Sequence, residues 1–148
     1  MTPEFNGMER RLDELHQRLT RLEDLAERSR EDFARESDLR DIAERNFEIA
    51  VQCCIDIANR IISLEGAEKA ADYYSSIMRL AELEVIPAEL ARSLAPMTGF
   101  RNVLIHEYTR VDWDEVYRMF DRLNDLWSFA SHISAWINDH ESSQEPQP

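Results

Sequence analysis

The distribution of proline is the feature that most constrains the fold of this chain. No proline lies between Pro3 and Pro87, and the 148 residues contain only three glycines, Gly7, Gly66 and Gly99. A turn-rich β fold needs these residue types at short intervals, whereas helix interiors exclude proline. The pattern therefore predicts an all-α protein with long helices. No apolar stretch approaches the roughly 18 residues that a membrane span needs, so no membrane partner is expected.

Apolar residues recur at helical spacing along most of the chain. A first helix from about Glu9 has one apolar stripe between charged residues, and a polar stretch over 29–37 follows it. A second helix over 38–64 has apolar residues on more than one face, so it is expected to be central or to lie at a subunit interface. A shorter third helix is expected at 73–83.

Two prolines and an aspartate define the helices of the second half. Pro87 is expected in the first turn of a fourth helix, which Pro96 should kink or split. Asp112, with Glu115 three residues later, is typical of the N-cap of a last helix, whose apolar period continues to Ile137. Together these segments predict a bundle of about five helices, four of them long enough to form the core.

The periodic segments predict a single domain over residues 8–140. Residues 1–7 lack periodicity and are interpreted as disordered or foreign to the natural chain, and 141–148 as a polar, frayed tail. No positively charged segment precedes an apolar stretch at the start, so a cytoplasmic location is expected. The adjacent Cys53 and Cys54 have neither the spacing of a zinc site nor the geometry to bridge each other, which predicts buried apolar side chains.

The charge balance argues against an extended interface with nucleic acid. The chain has 30 acidic and 17 basic residues and a formal net charge of −13, whereas phosphate binding normally requires a basic surface. Lys69 is the only lysine, so the remaining basic residues are arginines. Because arginine binds phosphate through two parallel hydrogen bonds, a small arginine-lined site is compatible with an acidic body.

Residues 101–108 gather the side chains that are best suited to chemistry. They comprise a guanidinium at Arg101, an amide at Asn102, an imidazole at His106 and a phenol at Tyr108. On an ideal helix Arg101 and Tyr108 return to nearly the same face, and Asn102 and His106 are neighbours. Arg101 and His106 lie about 140° apart, so they meet one substrate only if the helix loosens or a second subunit completes the site. The second alternative favours a dimer.

This segment resembles the R-x4-H-x-Y motif of the HEPN-domain ribonuclease toxins of the HepT family. The resemblance extends to Arg45 and Asn46, to the run at 54–59 and to residues 99–102. It covers about residues 8–137, which makes it more specific than the short motif alone.

The resemblance implies a HEPN-type helical bundle that forms a homodimer and acts as a toxin. Such a protein would cleave tRNA or mRNA without a metal or other cofactor, with Arg101 and His106 as the catalytic pair. Asn102 and Asn46 would support RNA binding. The partner would be an MNT-type nucleotidyltransferase antitoxin, which silences the toxin by adenylylating Tyr108.

Other interpretations of these residues stay open at this point. The alternative is a catalytically silent HEPN module that binds nucleotide or a partner protein, because the presence of a motif does not establish catalytic activity. Asp56, among apolar neighbours, is expected to be a paired structural carboxylate. His132, Trp136 and His140 share a helix face, but no cysteine or carboxylate completes a metal site, so a surface face is expected there.

Overall fold

The computed structural model describes residues 5–99 and 113–144. Within these ranges the chain is helical and contains no strand, which confirms the all-α prediction, and none of its helices is long and apolar enough to cross a membrane. The helices are α1 (Asn6–Ala26), α2 (Arg30–Arg35), α3 (Ser37–Leu64), α4 (Tyr73–Glu82), α5 (Ala88–Leu94), α6 (Trp113–Met119) and α7 (Leu123–Gln144), with a 3-10 turn at Phe120–Arg122.

Helices α1 and α3 form the main helix pair of the bundle. The predicted leucine stripe of α1 is buried, and it is completed by Met8. Two polar contacts tie the pair together: Arg11 Nε donates to Asp56 Oδ2 (3.1 Å), and Arg18 Nη1 donates to Asn46 Oδ1 (3.3 Å). The expectation that Asp56 is a paired structural carboxylate is therefore confirmed.

Helix α3 is central, as its apolar girth predicted. It packs against α1, α2, α4 and α6, and its buried side chains face several of these neighbours at once. Cys53 and Cys54 are free and buried, as predicted. Burial raises the pKa of the Cys53 thiol to about 11 and also raises the pKa of Cys54. Both thiols are therefore protonated at neutral pH and act as small apolar side chains rather than as nucleophiles.

The proline at position 96 splits the predicted fourth helix. Helix α5 ends at Leu94, the amide of Ala95 still donates to the carbonyl of Ala91 (2.8 Å), and residues 97–99 are helical again. The prediction for Pro87 is wrong by one position, because Pro87 is the extended N-cap residue of α5 and not its first helical residue. Pro87 lies before the first residue of α5 and Pro96 lies after its last, so neither proline occupies a position where a helical amide must donate a hydrogen bond.

Helix α2 lies where a polar stretch was expected, so that prediction is wrong for residues 30–35. Ser29 and Asp32 form a capping box, in which each side chain accepts a hydrogen bond from the backbone amide of the other residue. Phe33 is fully buried, although most residues of this helix are charged. Local capping and one large apolar side chain are therefore enough to order this segment.

Phe33 is the centre of an aromatic cluster that joins α2 to α6. Its ring lies 5.1 Å from the ring of Trp113, 5.9 Å from that of Tyr117 and 5.6 Å from that of Phe120. Arg30 pairs with Asp114, and its guanidinium lies 5.1 Å from the centre of the Tyr117 ring. These contacts fix the start of α6 against the rest of the bundle.

The two ends of the chain contribute more to the core than the sequence indicated. Phe5, within the segment set aside as disordered, is 1% exposed and packs edge-to-face on Trp136. Trp136 is itself buried, and the ring of His140 stacks on it at 3.9 Å, so the predicted surface face at 132–140 is wrong for Trp136. Helix α7 also continues to Gln144, beyond the position at which the tail was expected to fray.

The aromatic cluster gives a stability prediction. We expect Phe33→Ala to lower the free energy of unfolding by about 3–5 kcal/mol, because it removes a fully buried ring and leaves a cavity. Arg35→Ala is the matched control on the same helix, since the Arg35 side chain is 75% exposed. Urea denaturation measures both, and a loss for Phe33→Ala no larger than that of the control would contradict the prediction.

Candidate functional site

The motif that was predicted to carry the chemistry lies outside the described residues. Arg101, Asn102, His106 and Tyr108 all belong to the range 100–112. The structure instead defines the two flanks of this range, where the chain leads into it at Gly99 and continues from it at Trp113.

The flank before the motif is packed firmly into the core. Ala95, Met97 and Thr98 are buried. Thr98 Oγ1 donates to the carbonyl of Ala95 (2.8 Å), and the amide of Gly99 donates to the carbonyl of Pro96 (3.2 Å). The last described residues before the motif therefore have fixed positions.

A hydrogen-bond network connects the flanks on the two sides of the motif. Arg122 Nη1 donates to the carbonyl of Ser93 (2.5 Å) and to its hydroxyl (3.0 Å), and Ser93 Oγ donates to Asp125 Oδ2 (2.5 Å). Ser93 lies in α5, before the motif, whereas Arg122 and Asp125 lie after it. The network therefore holds the two flanks in one relative position.

An open groove runs between these two flanks. We call it the interhelix groove; it is lined by Pro96, Met97, Gly99, Glu115, Arg118, Met119, Asp121 and Arg122. Its charges are mixed, since the stretch from Glu115 to Arg122 contributes two arginines and two acidic residues to the lining. Arg118 is exposed and is thus available to a phosphate, whereas Arg122 is already engaged by Ser93.

A second groove opens on the other side of residues 96–99. We call it the tyrosine groove; it is lined by Asn59, Lys69, Ala70, Ala71, Asp72, Tyr73, Tyr74, Ser76, Pro96, Thr98 and Gly99. Ser76 Oγ donates to Asn59 Oδ1 (2.7 Å), and Asp72 Oδ1 accepts from the amide of Ser75 (2.7 Å). The hydrogen bonds from Ser75 lower the pKa of Asp72, so its carboxylate is charged at neutral pH.

The tyrosines of this groove are exposed, and sequence reasoning missed them as candidates. Tyr73 is 39% and Tyr74 49% exposed, and with Ile42 they are the large apolar side chains exposed among the described residues. The sequence did contain a signal: the two tyrosines directly follow the N-cap Asp72. Adjacent helix positions point about 100° apart, so a pair of neighbouring aromatics on a narrow amphipathic helix cannot both face the core.

Asn46, the one predicted site residue within the described ranges, lies inside the α1–α3 interface. It is 2% exposed, its Nδ2 donates to the carbonyl of Ile42 (2.7 Å), and its Oδ1 accepts from Arg18. These contacts are structural, and its support of RNA binding stays a prediction.

The predicted histidine face has protein partners. His140 Nε2 contacts Glu65 Oε1 (3.1 Å), and Nδ1 contacts the carbonyl of Trp136 (2.9 Å). In the described ranges, no group of three or more His, Cys, Asp or Glu side chains is arranged to hold a metal ion.

Comparison with known sequences identifies the family to which the chain is similar. The model of the family described as ribonuclease HepT-like matches residues 15–133. The chain is 29% identical over 110 residues to the tRNA nuclease HepT of Aphanizomenon flos-aquae, which covers 74% of this chain and 75% of that protein. It is also 29% identical over 104 residues to the mRNA nuclease HepT of Shewanella oneidensis, covering 70% of this chain and 78% of that protein.

Solved structures show the same fold. The tri-AMPylated HEPN toxin of Shewanella oneidensis, in complex with an MNT antitoxin, has a TM-score of 0.79 at 24% identity and covers 91% of this chain and 99% of that one. YutE of Bacillus subtilis, a cytosolic protein of unknown function, has a TM-score of 0.81 at 17% identity and covers 96% of this chain and 94% of that one. The family model matches residues 15–133, which is most of the chain, and this chain therefore belongs to the ribonuclease HepT-like family.

Proposed function

We propose that this chain is the RNA-cleaving toxin of a toxin–antitoxin pair and acts in the cytoplasm. The observation that carries the proposal is the complete R-x4-H-x-Y motif, from Arg101 to Tyr108, within the region that the family model matches. The similar proteins named tRNA nuclease and mRNA nuclease support RNA as the substrate class.

The residue types of the motif suit cleavage of RNA without a metal ion. The ribose 2′-OH attacks the adjacent phosphorus, the bond to the 5′ oxygen breaks, and the products carry a 2′,3′-cyclic phosphate and a 5′-hydroxyl. His106 either takes the proton of the 2′-OH or gives one to the leaving oxygen, since imidazole titrates near neutral pH. Arg101 binds the scissile phosphate and stabilises the charge that develops on it.

The described flanks suit such a site because catalysis needs groups held in fixed positions. The contacts of Arg122 and Asp125 with Ser93 fix one flank against the other, and the cluster around Phe33 fixes the start of α6. The described chain is therefore held in place both before Gly99 and after Trp113. Arg118 is an exposed cation in the interhelix groove between these flanks.

We further propose that the active form is a symmetric homodimer. Because Arg101 and His106 lie about 140° apart on an ideal helix, a second subunit offers a way to bring both onto one phosphate. Light scattering at micromolar concentration should give twice the 17.4 kDa of the single chain. A stable monomer that cleaves RNA would contradict this part of the proposal.

Control of the toxin would come from an MNT-type nucleotidyltransferase antitoxin. In the proposed step, the Tyr108 hydroxyl attacks the α-phosphorus of ATP, so that AMP is joined to the phenol and pyrophosphate leaves. The added phosphate then competes with the substrate for the guanidinium of Arg101. The AMPylated toxin among the similar structures supports this kind of control.

The catalytic assignment predicts the behaviour of two variants. We expect His106→Ala and Arg101→Ala each to reduce RNA cleavage by about 100-fold or more, because each removes a group that acts in the transition state. Circular dichroism should show unchanged helical content, and Arg35→Ala, which removes an exposed arginine in α2, should cleave normally.

Cleavage by the unaltered protein should also persist in EDTA. Normal cleavage by both alanine variants, or loss of cleavage when metal is chelated, would overturn the catalytic assignment. If the unaltered protein cleaves no RNA at all, the silent HEPN module is the better account.

Control by the antitoxin predicts that AMP is attached to the hydroxyl oxygen of Tyr108. After co-expression with the cognate MNT-type nucleotidyltransferase, intact mass spectrometry should show the toxin heavier by one or more AMP units. Tyr108→Phe removes only the acceptor hydroxyl, so it should stay unmodified and toxic. An unmodified but fully inhibited toxin would indicate steric covering by the antitoxin instead.

A further inference from the structure

The tyrosine groove has a composition that the catalytic motif does not explain. Two exposed aromatic rings, Tyr73 and Tyr74, lie beside the only lysine of the chain, Lys69, and the exposed amide of Asn59. Among the described residues, these are the exposed aromatic rings, and Ile42 is the other exposed large apolar side chain. A concentration of them in one groove indicates a binding surface.

The chemistry of the groove fits an unpaired nucleobase. An exposed tyrosine ring offers a flat face on which any base can stack, and such stacking is typical of proteins that bind single-stranded nucleic acid. Ser76 Oγ holds Asn59 Oδ1 at 2.7 Å, so the amide nitrogen is the atom of Asn59 that is left to donate to the edge of a base. The groove thus provides both a stacking platform and a hydrogen-bond donor.

The charges of the groove indicate a base rather than a run of phosphates. Among the described residues that line it, Lys69 is the one cation and Asp72 is the one carboxylate, which caps α4 by accepting from Ser75. A groove that followed the nucleic-acid backbone would need several cations. A single lysine is enough for the phosphate attached to one bound nucleotide.

The position of the groove connects it with the catalytic motif. Gly99 and Thr98 line the groove, and Gly99 precedes Arg101 by only two residues. Since Thr98 is buried and hydrogen-bonded to Ala95, this wall has a fixed place. A base in the groove would therefore lie close to the start of the segment that carries the catalytic arginine.

We propose that the tyrosine groove binds one unpaired base of the RNA substrate, adjacent to the scissile phosphate, by stacking on Tyr74 with Tyr73 beside it. The inference rests on the proposed ribonuclease function and adds to it a site that selects single-stranded RNA. A protein partner is the less favoured occupant, because Ile42, the third exposed large apolar side chain of residues 5–99 and 113–141, lies 17 residues from Asn59 along α3, about 25 Å away, and does not extend the patch.

Binding to RNA in a cleavage-dead background tests the proposal. The double variant Tyr73→Leu/Tyr74→Leu, made together with His106→Ala, removes the aromatic faces and keeps apolar bulk. Fluorescence anisotropy with a labelled single-stranded oligoribonucleotide of mixed sequence should show binding weakened by about tenfold or more. Tyr73→Phe/Tyr74→Phe should retain binding, because it keeps both rings, and Ile42→Ala is the exposed control that should not change it.

An abasic scan identifies the bound base. One base is removed at a time along the oligonucleotide, and the protein with intact tyrosines should lose affinity most at a single position next to the cleaved bond. In the double leucine variant that selective loss should disappear, since the ring that stacked on the base is gone. Tyr74→Leu alone, at a side chain that is 49% exposed, gives the same comparison if the double variant folds poorly.

The outcomes separate this inference from the proposed function. If the leucine variants bind RNA as tightly as the unaltered protein while His106→Ala abolishes cleavage, the groove has no role in RNA binding and the ribonuclease function stands. If the leucine variants keep RNA binding but are no longer recognised by the antitoxin, the groove is a protein-docking surface and the inference is wrong. If the unaltered protein neither binds nor cleaves RNA, both proposals fail.

Discussion

Burial of α3 on several sides is the constraint on which the rest of the structure depends. Twelve of the 28 residues of this helix are buried, and α1, α2, α4 and α6 pack against it to cover its broad apolar surface. The leucine stripe of α1 covers one side, and the cluster around Phe33 closes another. The residues on both sides of the motif are fixed because the elements that carry them are part of this packing.

The sequence predicted the long elements because their periods extend over many residues. The bounds of α3 differ by one residue from the expected 38–64, and α4 was placed correctly to within one residue. Helix α2 was missed because six residues with a single buried aromatic have no period. The 3-10 turn at Phe120–Arg122 was missed for the opposite reason, since a brief tightening of a helix barely disturbs the apolar pattern.

The candidate site also has a part that the sequence predicts and a part that only the fold shows. The motif from Arg101 to Tyr108 was readable because its chemistry is concentrated in one short run of sequence. The link between Ser93 and Arg122 spans 29 positions, so only the fold shows it. The helix that carries Tyr73 and Tyr74 is predictable, but the sequence alone does not say which of its aromatic residues remain exposed.

An acidic protein that acts on RNA must rely on local contacts rather than on an overall basic surface. With a net charge of −13, binding would depend on a few cations near the motif and on stacking in the tyrosine groove. The chemical ends of the RNA fragments give the most direct test of metal-independent cleavage through the 2′-OH. Mass spectrometry of the fragments should show 2′,3′-cyclic phosphate and 5′-hydroxyl ends, whereas 3′-hydroxyl and 5′-phosphate ends would contradict it.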